Sequence, residues 1–143
     1  MNRFPHHLVF GVAAVLALAG CGKSSPWETT YKASGKVIFK GQPISGAQLI
    51  FYPKDPSAPK TIRPTATTDD AGTFTISTHH KEDGAPAGDY RVAVVWHPLV
   101  NSPAGPSRGP NKLPARYAQP DTSNLEVHVD PSNNTLSPLE VKP

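Results

Sequence analysis

Proline interrupts this chain too often for a long helix to survive: 17 of its 143 residues are Pro and 11 more are Gly. Pro removes a backbone donor and clashes with the preceding helical turn, while Gly carries an entropic penalty inside regular structure. Between these breakers the sequence is rich in Thr and Val and alternates apolar with polar residues, the period of a strand with one buried face. Short strands joined by many turns are the expected outcome.

Seven stretches carry that alternation. Ala33–Phe39 sets Val37 and Phe39 against Lys36 and Lys40, and Lys40-Gly41-Gln42-Pro43 turns the chain. Ala47–Pro53 places Ala47, Leu49 and Phe51 on one face; a Thr-rich strand follows over Ile62–Thr68. Asp69-Asp70-Ala71-Gly72 is a turn, because Asp side chains bond nearby amides and Gly accepts positive φ. Thr73–Thr78 returns with Phe74 and Ile76 inward, and His79–Gly88 is a polar loop. Tyr90, Val92, Val94 and Trp96 share a face of the most apolar strand. Pro98–Pro114, with five prolines, reads as one long loop, a length associated with function or disorder. Leu125, Val127 and Val129 mark a sixth strand and Thr135–Val141 a seventh, which Pro138 assigns to an edge. The expected fold is all-β: a seven-stranded antiparallel Greek-key sandwich over residues 32–143, with these inward residues as its core.

Ahead of that domain, Arg3 precedes an apolar run from Leu8 to Ala19, and Leu18-Ala19-Gly20-Cys21 closes it. About 20 apolar residues are needed to span a bilayer, so a run of this length suits the core of a signal peptide. The four closing residues form a lipobox, the bacterial site where a lipid is attached to cysteine. Residues 1–20 are therefore expected to be a lipoprotein signal peptide, cleaved between Gly20 and Cys21, with Cys21 the lipidated first residue. A diacylglycerol thioether plus an amide-linked chain such as palmitate anchors firmly, each buried CH₂ contributing about 0.8 kcal/mol. Residues 21–31 then form a polar tether, and Trp27 within it is expected to be solvated rather than bound to headgroups. Gly22 in place of Asp after the cysteine leans toward the outer membrane rather than the inner one.

Removing Arg3 with the leader lowers the net charge from +3 to about +2, and no three basic residues run together. Nucleic-acid binding needs Lys or Arg clustered on one face, so that class is set aside. Cys21 is the single cysteine, so its acylation leaves no thiol for a disulfide. Some 113 residues from Tyr31 onward suffice for one domain stabilised by its apolar core.

Three blocks resemble a known family. Gly35-Lys36-Val37 with Gly41-Gln42-Pro43-Ile44-Ser45-Gly46-Ala47 and Leu49-Ile50-Phe51 looks like the opening hairpin of the carboxypeptidase regulatory-like, or transthyretin-like (prealbumin-like), domain. Thr68-Asp69-Asp70-Ala71-Gly72-Thr73-Phe74-Thr75-Ile76 resembles its turn and strand, and Gly88-Asp89-Tyr90-Arg91-Val92-Ala93-Val94 its "G-x-Y-x-V-x-V". Leu113-Pro114-Ala115-Arg116-Tyr117 and Ser123-Asn124-Leu125 are similar to a variant in small bacterial lipoproteins. The resemblance implies a seven-stranded prealbumin-like sandwich and little about activity, because function resides in sites rather than folds.

Enzymes on such sandwiches have recognisable signatures. Intradiol dioxygenases bind iron with two Tyr and a His-x-His pair; His79-His80 are adjacent and would face opposite ways in a strand. Hydroxyisourate hydrolases end in Tyr-Arg-Gly-Ser, and here the sequence reads Leu139-Glu140-Val141-Lys142-Pro143. His97 at a strand end is expected to be hydrogen-bonded, and His128 to face solvent. Asp69 and Asp70 with Asp55 or Asp83 fall short of the six to eight oxygens calcium takes. A Lys–Asn isopeptide bond would need Lys36 or Lys40 inside the fold near Asn133 or Asn134, and both lysines alternate outward. No catalytic, cofactor or metal residues are assigned.

The expected function is a non-enzymatic lipoprotein, attached to the cell membrane or outer membrane on the exported side through Cys21 and serving a structural or binding role in the envelope. An envelope protein or a glycan would be its partner. The 98–114 loop offers a contact region with Arg108, Lys112 and Arg116 for acidic partners. A carbohydrate-binding module using Tyr52, Trp27 and Tyr117 is one alternative, and a metal-binding or enzymatic sandwich using His79, His80 and His97 another.

Overall fold

The computed structural model describes residues 25–143, so the expected signal peptide and the expected lipidation site Cys21 lie outside the described residues. What is described is an all-β, two-sheet sandwich. The first sheet is centred on β1 (Ala33–Phe39), with β2 (Gln42–Pro43) and β5 (Thr73–Thr75) along one edge. Along its other edge run β10 (Asn134–Thr135) and β11 (Leu139–Val141). The second sheet has the order β4 (Thr65–Thr67), β3 (Ala47–Pro53), β6 (Gly88–Trp96), β9 (Glu126–Val129). β3 and β6 are neighbours although the chain visits the first sheet between them, the crossed connectivity expected of a Greek key. Thr65 and Ser77 exchange amide bonds of 2.8 and 2.9 Å and stitch the sheets together beside β4.

Alternation sets which face is buried. Leu49 and Phe51 of β3, Phe74 of β5, and Tyr90, Val92 and Val94 of β6 all point into the space between the sheets, each 1% exposed or less. Complete burial of one such side chain contributes about 1.5–3 kcal/mol. Phe51 packs against Phe74 and edge-on against Tyr90, with ring centroids 6.0 and 6.5 Å apart. Thr68 is polar and buried, and it is satisfied: its Oγ1 accepts the Ala47 amide at 2.9 Å and donates to the Ile44 carbonyl at 2.6 Å.

Several expectations change in detail. The strand expected over 62–68 shortens to β4, because Pro64 has no donor and the Ile62 amide closes a turn on Pro59. Ser137 and Pro138 divide the last strand into β10 and β11, which run parallel to β1, the departure from an otherwise antiparallel plan. Both pair with β1 alone, so Pro138 does fall at an edge. The 98–114 segment expected as a loop contains a hairpin, β7 (Leu99–Ser102) and β8 (Gly105–Arg108), that pairs with neither sheet. Pro103 sits in its turn rather than in a strand, so the prolines did not prevent pairing.

Candidate functional site

The sandwich has two distinct ends. At one, Tyr31 joins the fold by exchanging amide bonds with Ala85 just before β6 begins. Gly84 allows that approach: it has φ +93°, and a Cβ there would collide with the Tyr31 carbonyl. Asp83 organises the adjoining turn, accepting the amides of Thr78 at 2.7 Å and of His79 and His80 at 3.0 Å. Partial burial works against its charge, but those amides outweigh it and hold the carboxyl below its ordinary range. His79 Nε2 lies 3.2 Å from the Trp27 carbonyl oxygen, so the segment before Tyr31, expected to be a tether, rests on this turn.

At the other end, where β1 and β6 stop, a cleft of about 700 Å³ opens beside the base of the β7–β8 hairpin. β6 spans nine residues, so the two ends are separated by roughly 27 Å. Phe39 and Trp96 form the floor, edge to face with centroids 6.3 Å apart. The Trp96 indole N–H donates to the Ser45 carbonyl at 2.8 Å, which ties β6 to the turn after β2. Pro98 and Leu99 line the hairpin side. Lys40, whose Nζ lies 5.3 Å from the Phe39 ring centroid, and Arg108 supply the lining's positive charge, and among the described residues no carboxylate lines the cleft. Asp70, bonded to Ser45 Oγ at 2.9 Å, is the one acid hydrogen-bonded to a lining residue among the described residues.

The hairpin is held firmly at its root. Asn111 Oδ1 accepts the amides of Trp96 and Leu113, the Lys112 amide bonds Trp96 O, and the Gly109 amide bonds Pro98 O. His97 Nδ1 lies 2.9 Å from the Gly109 carbonyl oxygen, the hydrogen-bonded strand-end role expected of it. Beyond this root the hairpin is exposed: Leu99 is 74% and Val100 39% accessible. A second, smaller cleft of about 320 Å³ crosses the outer face of β3, β4 and β6, lined by Ile50, Ala93 and Val95.

Other residues singled out in the sequence do not converge. Tyr117 is buried and its hydroxyl accepts the Lys142 amide at 2.9 Å, so it is a structural anchor rather than a glycan contact. Burial opposes ionisation of that phenol, but the Lys142 amide and the Arg116 guanidinium prevail and lower its pKa. Arg116 also binds the carbonyl oxygens of Lys142 and Pro143 at 3.0 Å, which engages it within the fold instead of offering it to partners. Arg63 stacks over the half-buried Tyr52, 5.1 Å from its centroid. His79 and His80 lie at the tether end and His97 at the far end. Asp55 caps its own turn through Ser57, and Asp69 accepts the Ala71 and Thr73 amides, so these acids do not share a site. Among the described residues no three His, Cys, Asp or Glu side chains gather as for a metal. Lys36 and Lys40 are exposed, and the Asn134 amide is occupied by the Asp130 and Ser132 carbonyls.

The sequence pointed to the 98–114 segment and Arg108, but not to Phe39 and Trp96, which complete the cleft. The available signal was Leu99-Val100, two apolar residues together inside a Pro/Gly-rich stretch.

No family model matches the sequence. No curated protein matches it either. Among solved structures the chain is similar to a 9R-lipoxygenase from Cyanothece PCC8801, at 16% identity over 82% of this chain and 17% of that one, with TM-score 0.39. It is similar to the major pilin subunit of Bacillus cereus at 15% identity, over 79% of this chain and 30% of that one, with TM-score 0.46. A DUF3823 family protein from Parabacteroides merdae matches at 18% identity over 79% of this chain and 46% of that one, with TM-score 0.42. The chain spans less than half the length of each.

Proposed function

We propose that this protein is an exported lipoprotein, held on a bacterial cell membrane or outer membrane by lipid on Cys21, whose sandwich of the carboxypeptidase regulatory-like kind is a non-catalytic envelope module. The Leu18-Ala19-Gly20-Cys21 lipobox supports the anchoring, and the three sequence blocks around Gly46, Gly72 and Tyr90 support the domain type. The module's task is to display a binding surface away from the bilayer. The observation that carries this is the opposition of ends: the chain enters beside Ala85, and the cleft lined by Phe39 and Trp96 lies at the far end of β6. The nine residues from Gly22 to Thr30 reach at most about 30 Å, which keeps the domain near its membrane, and entry of the chain at the opposite end favours a cleft that faces outward.

Intact-mass analysis of the natural protein tests the anchoring. Loss of residues 1–20 together with acyl mass on Cys21 is the expected result, and Cys21→Ser should release the protein from the membrane fraction. A bare Cys21, or a retained leader, would overturn the reading.

A further inference from the structure

We propose that the far-end cleft and the free edge of β7 together bind an extended acidic peptide carrying apolar side chains, which pairs with β7 as a third strand. This deepens the display function above and rests on that reading only for the partner's access to the cleft.

Three features of this end converge on that occupant. First, β7 pairs with β8 and nothing else among the described residues, so its other edge presents unpaired amides and carbonyls. Native edges are normally blunted by charge or proline. β8 is blunted in this way, by Pro106 and Arg108, whereas Leu99-Val100-Asn101-Ser102 carries neither. An edge left open beside a cleft is the geometry by which sheets accept a peptide strand, with main-chain bonds giving affinity and side-chain pockets giving selectivity. Second, the adjoining wall has an apolar stretch, made by half-buried Phe39, Trp96 and Pro98 and exposed Leu99. An alternating strand would direct every second side chain onto that wall. Third, the rim charges, Lys40 and Arg108, are both positive and unopposed by a lining carboxylate. That charge favours acidic residues flanking the apolar ones, and it disfavours a second copy of this chain, which would bring like charges together.

A glycan is a poorer match. The Trp96 N–H is already committed to the Ser45 carbonyl, the Ser45 hydroxyl to Asp70 and His97 Nδ1 to the Gly109 carbonyl, so several of the lining's polar groups are engaged within the fold rather than open to hydroxyl groups. The cleft also lies some 27 Å from the tether end, away from the headgroups of the anchoring bilayer.

The test uses the detergent-solubilised full-length protein and three fluorescein-labelled peptides of equal length: alternating Glu and Leu, alternating Lys and Leu, and alternating Glu and Ser. Anisotropy should show the Glu/Leu peptide binding at least tenfold more tightly than the other two. Leu99→Asn, at an exposed position, and Arg108→Glu should each weaken it at least fivefold without altering the thermal melt. The Arg108→Glu variant should also narrow the gap between the Glu and Lys peptides. Equal binding of acidic and basic peptides, or unchanged affinity in both variants, would overturn the proposal. So would equally strong competition by polygalacturonate or by anionic phosphatidylglycerol vesicles, or hairpin-dependent self-association. Because the readout is peptide binding in solution, a failure here leaves the mass of Cys21 untouched, and a bare Cys21 leaves the peptide result standing.

Discussion

The Tyr90 hydroxyl donates to the Pro86 carbonyl oxygen at 2.7 Å, closing a loop of four residues at the start of β6 inside the core. Tyr90→Phe leaves that carbonyl buried without its donor, at a cost of about 1–3 kcal/mol. Urea denaturation should show a lower midpoint with an unchanged slope. Burial also pushes the phenol well above its ordinary value of 10, so the folded state favours the neutral form. The stability this supplies is complete below pH 10 and is lost as pH rises beyond it. Alkaline titration should show a phenolate absorbance step coincident with unfolding that is missing from the Tyr90→Phe protein.

Thr68, buried directly after β4, pins the turn between β2 and β3. Thr68→Val keeps its shape but strands the Ala47 amide and the Ile44 carbonyl together. Two such losses predict at least about 2 kcal/mol of destabilisation. Thr68→Ser, which retains the hydroxyl, should recover most of it in the same denaturation experiment.

Gly84 and Gly41 both have positive φ, and only Gly84 is crowded. Gly41→Ala should cost about 1–2 kcal/mol, the left-handed penalty alone. Gly84→Ala should cost more, because its methyl group meets the Tyr31 carbonyl, a backbone atom that must shift. Hydrogen exchange at the Tyr31 and Ala85 amides should accelerate in Gly84→Ala and stay unchanged in Gly41→Ala.

His128 lies between two carboxylates, Asp89 at 2.7 Å from Nδ1 and Asp130 at 3.3 Å from Nε2. The Asp89 hydrogen bond is the main reason its pKa rises above 6.5. A raised folded value means the stabilisation is complete below pH 6.5 and fades as pH climbs through the folded pKa. The denaturation midpoint should therefore fall slightly from pH 6 to 8, and His128→Gln should remove that slope. The pair is solvent-exposed, so the effect should also shrink in high salt.

Where local patterning decided the outcome, the sequence was readable. β1 and β3 fall on their expected bounds, and Phe51, Phe74, Val92 and Val94 face inward because a period of two leaves no other choice. Pro98–Pro114 misled because a proline's consequence depends on whether its nitrogen faces a partner, and Pro103 occupies a turn where no donor is needed. Tyr117 and Arg116 looked available in the sequence; the groups that engage them arrive about 25 residues later, at Lys142 and Pro143. The rest of the cleft was hidden for a similar reason. Its floor joins Phe39 to Trp96, and its bracing bond joins Ser45 to Trp96, contacts that no window of neighbouring residues contains.

The alignment of β1 with β10 and β11 has a kinetic corollary. Ala33 waits for Asn134, about a hundred positions downstream, before that flank of its sheet can form. A chain threaded outward from its amino terminus would hold β1 half-paired until its final strand emerged. For such a chain, completion of the first sheet would wait for the segment that carries Asn134 and Leu139.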